Sequence, residues 1–90
     1  MKTIIYLKKF GEMLISRPAG REAWLVAQAY SLPKETKSVT LDFAGVSVLS
    51  PSWADEFITK LVERYGLDNV RFVHTKNLSV KATLQTLLGI

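Results

Sequence analysis

The feature that most constrains the fold is a helical pattern of apolar residues in the second half of the chain. The pattern recurs at offsets of three, four, seven, eight and eleven positions, which is one face of an α-helix: Ala54, Phe57, Ile58, Leu61, Val62 and Tyr65. Gly66 follows at once, and we expect it to end the helix in the left-handed conformation. A helix with one apolar face must bury that face against another layer of structure.

The other periodic segments alternate between strand and helix. The predicted strands cover residues 4–7, 13–15, 39–43 and 70–74. The short strand at 13–15 is predicted to pair back on the first. Helices are predicted to begin at Arg17-Pro18 and after Asn77 or Ser79, either of which can cap the last helix. We therefore predict one α/β domain over residues 1–90, with a small mixed sheet of about four strands and three helices packed on it.

Size and composition exclude several classes of protein. Ninety residues form a single hydrophobic core, and a hydrophobic content of 48% argues against disorder. The chain has no cysteine, which excludes disulfides, thiolate metal sites and cysteine nucleophiles and fits a reducing compartment. No apolar run approaches the roughly 20 residues that cross a bilayer. The first apolar run, residues 3–7, is too short for a signal peptide, so we expect a cytoplasmic protein that does not bind membranes.

The sequence shows no catalytic apparatus. His74 is the single histidine, so the chain offers no histidine-based metal cluster and no local Ser-His-acid pattern. The glycines are scattered and form no phosphate-binding loop. Asp55 and Glu56 are adjacent on a helix and point about 100° apart, which argues against a catalytic carboxylate pair. We expect neither enzymatic activity nor a metal or cofactor.

The net charge of +4 lies entirely within residues 1–21. This segment has one acidic side chain, Glu12, and five basic ones: Lys2, Lys8, Lys9, Arg17 and Arg21. Two interpretations are open. A solvated basic edge is favoured, because the region has no Arg/Lys-rich helix and no interleaved aromatic residues. The alternative function is nucleic-acid binding, with phosphates contacted by Lys8, Lys9, Arg17 and Arg21.

The junction Ser50-Pro51-Ser52 connects a buried strand to the helix of the strongest pattern. Either Ser50 caps this helix with Pro51 at the first helical position, or Ser52 caps it with Asp55 three residues later. Serine here is typical of an ordinary helix start, yet it is also an exposed hydroxyl. Trp53 lies at the edge of the apolar stripe, where it is either part of the core or an exposed anchor for a partner.

Residues 41–57, with Asp42-Phe43-Ala44-Gly45-Val46 in the strand and Ser52-Trp53-Ala54-Asp55-Glu56 at the helix start, resemble the signature of STAS-like domains. They are most similar to a small bacterial group of largely unassigned function. They also resemble, more distantly, the anti-sigma-factor antagonists, in which an Asp-Ser-Ser-Gly turn follows the strand at the same distance.

The resemblance implies a phosphorylation site and a partner. In the antagonists, a kinase of the histidine-kinase-like ATPase fold phosphorylates the second serine of the turn, which corresponds to Ser52. The chain departs from that turn at three positions, with Ser50 for aspartate, Pro51 for the first serine and Trp53 for glycine. These departures favour docking by the helix over phosphorylation.

We therefore predict a non-catalytic, regulatory protein-interaction domain of STAS-like type. Its partner is a histidine-kinase-like ATPase or another regulator. The predicted partner-binding residues are those of the junction and first helical turn: Ser50, Pro51, Ser52, Trp53, Asp55 and Glu56. The sequence does not determine the oligomeric state.

Overall fold

The computed structural model describes residues 1–89 and contains two small parallel sheets. The strands are β1 (Lys2–Tyr6), β2 (Met13–Leu14), β3 (Ser38–Asp42), β4 (Val48–Leu49) and β5 (Val70–Val73). One sheet has the order β1-β3-β5, and the other pairs β2 with β4. The predicted α/β class is confirmed, but the strands of each pair run parallel, where we expected a mixed sheet.

Three helices accompany the strands, as predicted. They are α1 (Arg17–Tyr30), α2 (residues 51–65) and α3 (Leu78–Leu88). Within α2, a π-helical turn at Asp55–Thr59 separates the α-helical segments Pro51–Ala54 and Lys60–Tyr65. None of the helices in the described part of the chain is both long enough and apolar enough to cross a membrane.

The predicted pairing of the short strand β2 with β1 is wrong. Met13 and Leu14 pair instead with Val48 and Leu49 of β4. Between β1 and β2 the chain makes a 3-10 turn at Leu7–Phe10. The Glu12 carbonyl accepts a hydrogen bond from the Val48 N–H and the Leu14 carbonyl accepts one from the Ser50 N–H, so the backbone of β2 bonds to the β4 segment and lies outside the sheet of β1.

The helices cover one face of the β1-β3-β5 sheet. The buried strand positions Ile5 and Leu41 are in register and pack with buried residues of all three helices. These helical core residues are Ala23, Ala27, Trp53, Ala54, Phe57, Ile58, Leu61, Val80 and Leu84. The alternate strand positions point away from the helices, which leaves Ile4 and Tyr6 exposed on the outer face.

The helix ends resolve two predictions. Asn77 caps α3, since its Oδ1 accepts a hydrogen bond from the Val80 N–H at 3.1 Å, while Ser79 bonds elsewhere. Gly66 ends α2 with a positive φ of 88°, as glycine allows, but its ψ of 142° lies outside the left-handed helical region that we expected.

Candidate docking surface at the start of helix α2

Ser50 is the residue that caps α2. Its Oγ accepts a hydrogen bond from the Trp53 N–H at 3.2 Å, and its hydroxyl donates to the Ile15 carbonyl. Of the two predicted caps, Ser50 followed by Pro51 is therefore the one that forms. Because its hydroxyl donates and accepts within the domain, Ser50 holds the junction in place.

The residue before the cap is held by α3. The Leu49 N–H donates to Ser79 Oγ at 3.0 Å, and the Leu49 carbonyl accepts from the buried Thr83 hydroxyl at 2.5 Å. Both bonds satisfy backbone groups that would otherwise be left without partners where β4 ends. The chain thus enters α2 at a position fixed by α3, through the bonds of Leu49, and by Ile15, through the bond of Ser50.

Trp53 is a core residue, so its predicted role as an exposed anchor is wrong. Its side chain is 1% exposed. The indole stacks on Phe57 with ring centroids 5.0 Å apart and lies 6.1 Å from the ring of Phe10. A signal was present in the sequence, because Trp53 precedes Phe57 by four residues and thus extends the apolar stripe by one position.

Helix α1 crosses α2 at very close range beside Trp53. A Cβ placed on Gly20 would lie 2.5 Å from the Trp53 carbonyl oxygen and 2.9 Å from its Cα. These distances leave no room for any side chain, so glycine is what permits the crossing. The contact brings the first turn of α1 against the first turns of α2.

Arg17, in the first turn of α1, binds two carboxylates of α2. Its Nη1 lies 3.0 Å from Asp55 Oδ2 and 2.7 Å from Glu56 Oε2, and Arg21 Nε lies 3.6 Å from Glu56 Oε1. The hydrogen bonds from Arg17 are the main reason why the pKa of each carboxyl lies below its ordinary value. No local signal in the sequence indicated these pairs, because the two segments are 38 and 39 residues apart.

We define the docking surface as Arg17, Pro51, Ser52, Asp55 and Glu56. Pro51 and Ser52 are exposed on the first turn of α2, and Asp55 and Glu56 are partly exposed. The two carboxylates begin the π-helical turn, a type of distortion found frequently at functional sites. With Trp53 buried, the surface has no large apolar anchor and can recognise a partner chiefly through polar and charged contacts.

A family model described as a STAS-like domain of unknown function (DUF4325) matches residues 28–81, which is more than half of the chain. The chain belongs to this family. The match includes β3, the junction and all of α2, and it confirms the family resemblance carried by residues 41–57. No curated protein and no solved structure matches the chain significantly.

In the STAS-like domain, the four basic residues that the alternative function assigns to nucleic-acid contacts do not form one continuous basic patch. Arg17 and Arg21 are turned towards the carboxylates of α2. Lys9 Nζ donates to Ser31 Oγ at 2.7 Å and lies 5.5 Å from the centre of the Phe10 ring, and the aliphatic part of Lys8 lies against Gly45. This arrangement does not favour nucleic-acid binding.

The single histidine of the STAS-like domain pairs with a buried carboxylate. His74 Nδ1 lies 2.8 Å from Asp42 Oδ1, which also accepts from the Ala44 N–H at 2.9 Å. The Ala44 bond, followed by the contact with His74, holds the pKa of Asp42 below its ordinary value. These contacts connect the ends of β3 and β5. Among residues 1–89, no group of three or more acidic or histidine side chains is placed to hold a metal ion.

Proposed function

We propose that this STAS-like domain is a non-catalytic, cytoplasmic module of bacterial-type regulation that binds a protein partner through the docking surface. The observation that carries the proposal is that the start of α2 is held from several sides while its outward residues remain open to solvent. Ser50 and Leu49 are bonded within the domain, whereas Pro51 and Ser52 are exposed. A surface that is already ordered loses little conformational entropy when it binds.

The two carboxylates of the docking surface differ in accessibility. The Asp55 side chain is 44% exposed, whereas that of Glu56 is 15% exposed and is shared between Arg17 and Arg21. Asp55 is therefore the carboxylate that a cationic group of a partner can reach. The resemblance to anti-sigma-factor antagonists supports a histidine-kinase-like ATPase, or another regulator, as that partner.

Phosphorylation of Ser52 would act on the same surface. Ser52 precedes Asp55 by three residues and Glu56 by four, so the three side chains lie on one side of the helix. A phosphate adds about −1.5 to −2 charges near neutral pH, which would repel the carboxylates and compete with them for Arg17. We therefore include a phosphorylation switch at Ser52 in the proposal.

The docking proposal is tested with a photo-crosslinking amino acid. We would place it at Ser52 in one variant and at Gln28, an exposed residue of α1 outside the docking surface, in a control variant. We expect irradiated cells to give one protein adduct of defined mass from position 52, and we expect Asp55→Arg to reduce it. Adducts that are the same from both positions, or that persist in full with Asp55→Arg, would contradict the proposal.

The switch has its own test. The domain is co-expressed with a candidate ATPase-kinase, and the intact mass is measured for the native chain and for Ser50→Ala and Ser52→Ala. We expect the added mass of one phosphate in the native chain and in Ser50→Ala, and its loss in Ser52→Ala. A phosphate that remains in Ser52→Ala would place the modification elsewhere.

A further inference from the structure

Strand β1 is one edge of the three-stranded sheet, and within residues 1–89 it pairs only with β3. The Met1 carbonyl points to the β3 side, since it accepts from the Lys37 N–H at 2.9 Å. The N–H and C=O groups of an extended strand alternate in direction from one residue to the next. The peptide groups of Lys2, Ile4 and Tyr6 therefore point to the free edge.

Apart from Lys2 at its first position, this edge lacks the features with which proteins usually protect a strand from pairing. It runs for five residues, contains no proline, and presents two large exposed side chains, Ile4 at 53% and Tyr6 at 57%. The opposite edge, β5, is shorter and carries the exposed Arg71 in its interior. A charge inside an edge strand opposes pairing with another copy, so β1 is the edge open to association.

We propose that β1 pairs antiparallel with β1 of a second copy of this chain, about a two-fold axis that passes through Ile4. This proposal concerns a surface separate from the docking surface and does not depend on the proposed function. The pairing joins the two sheets into one continuous sheet of six strands.

The strand is self-complementary in this register. Ile4 is the central residue of β1, so it faces Ile4 of the second copy, and Lys2 faces Tyr6 of the second copy. The Lys2 ammonium can then lie over the tyrosine ring, a cation–π contact that the two-fold axis repeats. Parallel pairing in register would instead place Lys2 beside Lys2 of the second copy, where the two positive charges repel each other. The charge pattern of the strand therefore favours the antiparallel arrangement.

The chain contains no cysteine, so a single introduced cysteine reports the contact without interference. In the proposed dimer, Ile4→Cys places two sulfurs across the axis, because directly opposed residues of an antiparallel pair have Cα atoms about 4.5–5.5 Å apart, within disulfide range. The matched control is Thr40→Cys, which lies beside Ile4 on β3, on the same face of the sheet but away from the edge.

Under mild oxidation we expect Ile4→Cys to form a covalent dimer at least about tenfold faster than Thr40→Cys, because only the former is held opposite its own copy. Equal rates for the two variants would overturn the proposal. Circular dichroism establishes that both variants are folded under the conditions of the assay.

Sedimentation equilibrium tests the register on chains without cysteine. One strand pair is smaller than a standard stable interface, so we expect association that grows between about 10 µM and about 1 mM. Tyr6→Lys sets two lysines opposite each other and should weaken association about tenfold, and Lys2→Glu combined with Tyr6→Lys should restore it. Thr40→Lys should leave it unchanged. A mass that stays at 10.1 kDa at every concentration, or a double variant that fails to recover, would overturn the proposal.

Discussion

Arg17 Nη1 donates a hydrogen bond to Glu56 Oε2 across 2.7 Å and so connects residues that lie 39 positions apart. The bond ties the first turn of α1 to the π-helical turn of α2. Both residues belong to the docking surface, so the same contact orders the surface and contributes to the stability of the fold.

The first prediction concerns pH. A carboxyl whose pKa is lowered by folding stabilises the native state fully at pH values above its pKa in the unfolded chain. This contribution decreases as the pH falls below the unfolded pKa, and it is lost below the folded pKa. Asp55 and Glu56 are shifted in this direction by Arg17. We expect Arg17→Ala to lower the thermal midpoint near neutral pH and to have progressively less effect as the pH is lowered, with the difference vanishing below the folded pKa of both carboxyls, where they are protonated.

Thermal unfolding followed by circular dichroism at a series of pH values measures this effect. Lys34→Ala, which removes a charge from an exposed loop, serves as the control and should show no such pH dependence. A deficit in Arg17→Ala that is equally large at low pH would show that the ion pairs are not its cause.

The second prediction concerns Gly20. Helix propensity alone predicts that Gly20→Ala stabilises α1 by about 1 kcal/mol. The close approach to the Trp53 backbone reverses the sign, since the new Cβ would force the two helices apart, and we expect a loss of about 1–3 kcal/mol in the free energy of unfolding. Urea denaturation measures it, and Ala29→Gly on the exposed side of α1 calibrates the propensity contribution. A stabilised Gly20→Ala would rule out the crossing described.

The third prediction concerns Trp53. Trp53→Ala removes a buried indole and should lower the free energy of unfolding by about 3–5 kcal/mol, which is a large part of the total stability of a small domain. Trp24→Ala should lower the free energy of unfolding by less, because Trp24 is only partly buried. Denaturant unfolding of both variants provides the comparison. A Trp53→Ala domain of native stability would mean that the indole is not in the core.

The fourth prediction separates the two serines of the junction. Ser50→Ala removes the cap of α2 and should lower the free energy of unfolding by about 1 kcal/mol. Ser52→Ala changes an exposed side chain and should stay within about 0.5 kcal/mol of the native chain. Urea denaturation of the pair checks the assignment, which fails if Ser52→Ala proves the more harmful.

In the described part of the chain, short-range patterns predicted the three helices and four of the five strands, but not β4. The apolar residues between Ala54 and Tyr65 specified α2, and Asn77 was one of two predicted caps of α3. These features depend on side chains within one or two turns of each other, so they can be recognised without knowing what lies opposite. The positions Ser52 and Asp55 of the docking surface were named from the junction sequence and the family resemblance.

Only the tertiary structure decided how these elements meet. It paired β2 with β4, placed Trp53 in the core, and paired Arg17, which the alternative function had assigned to a phosphate, with Glu56. The physical reason is distance along the chain: each of these outcomes depends on contacts between residues more than 30 positions apart, formed by the packing of α1 on α2 and of β2 beside β4. No local periodicity encodes such contacts, so the composition of the docking surface follows from the packed fold.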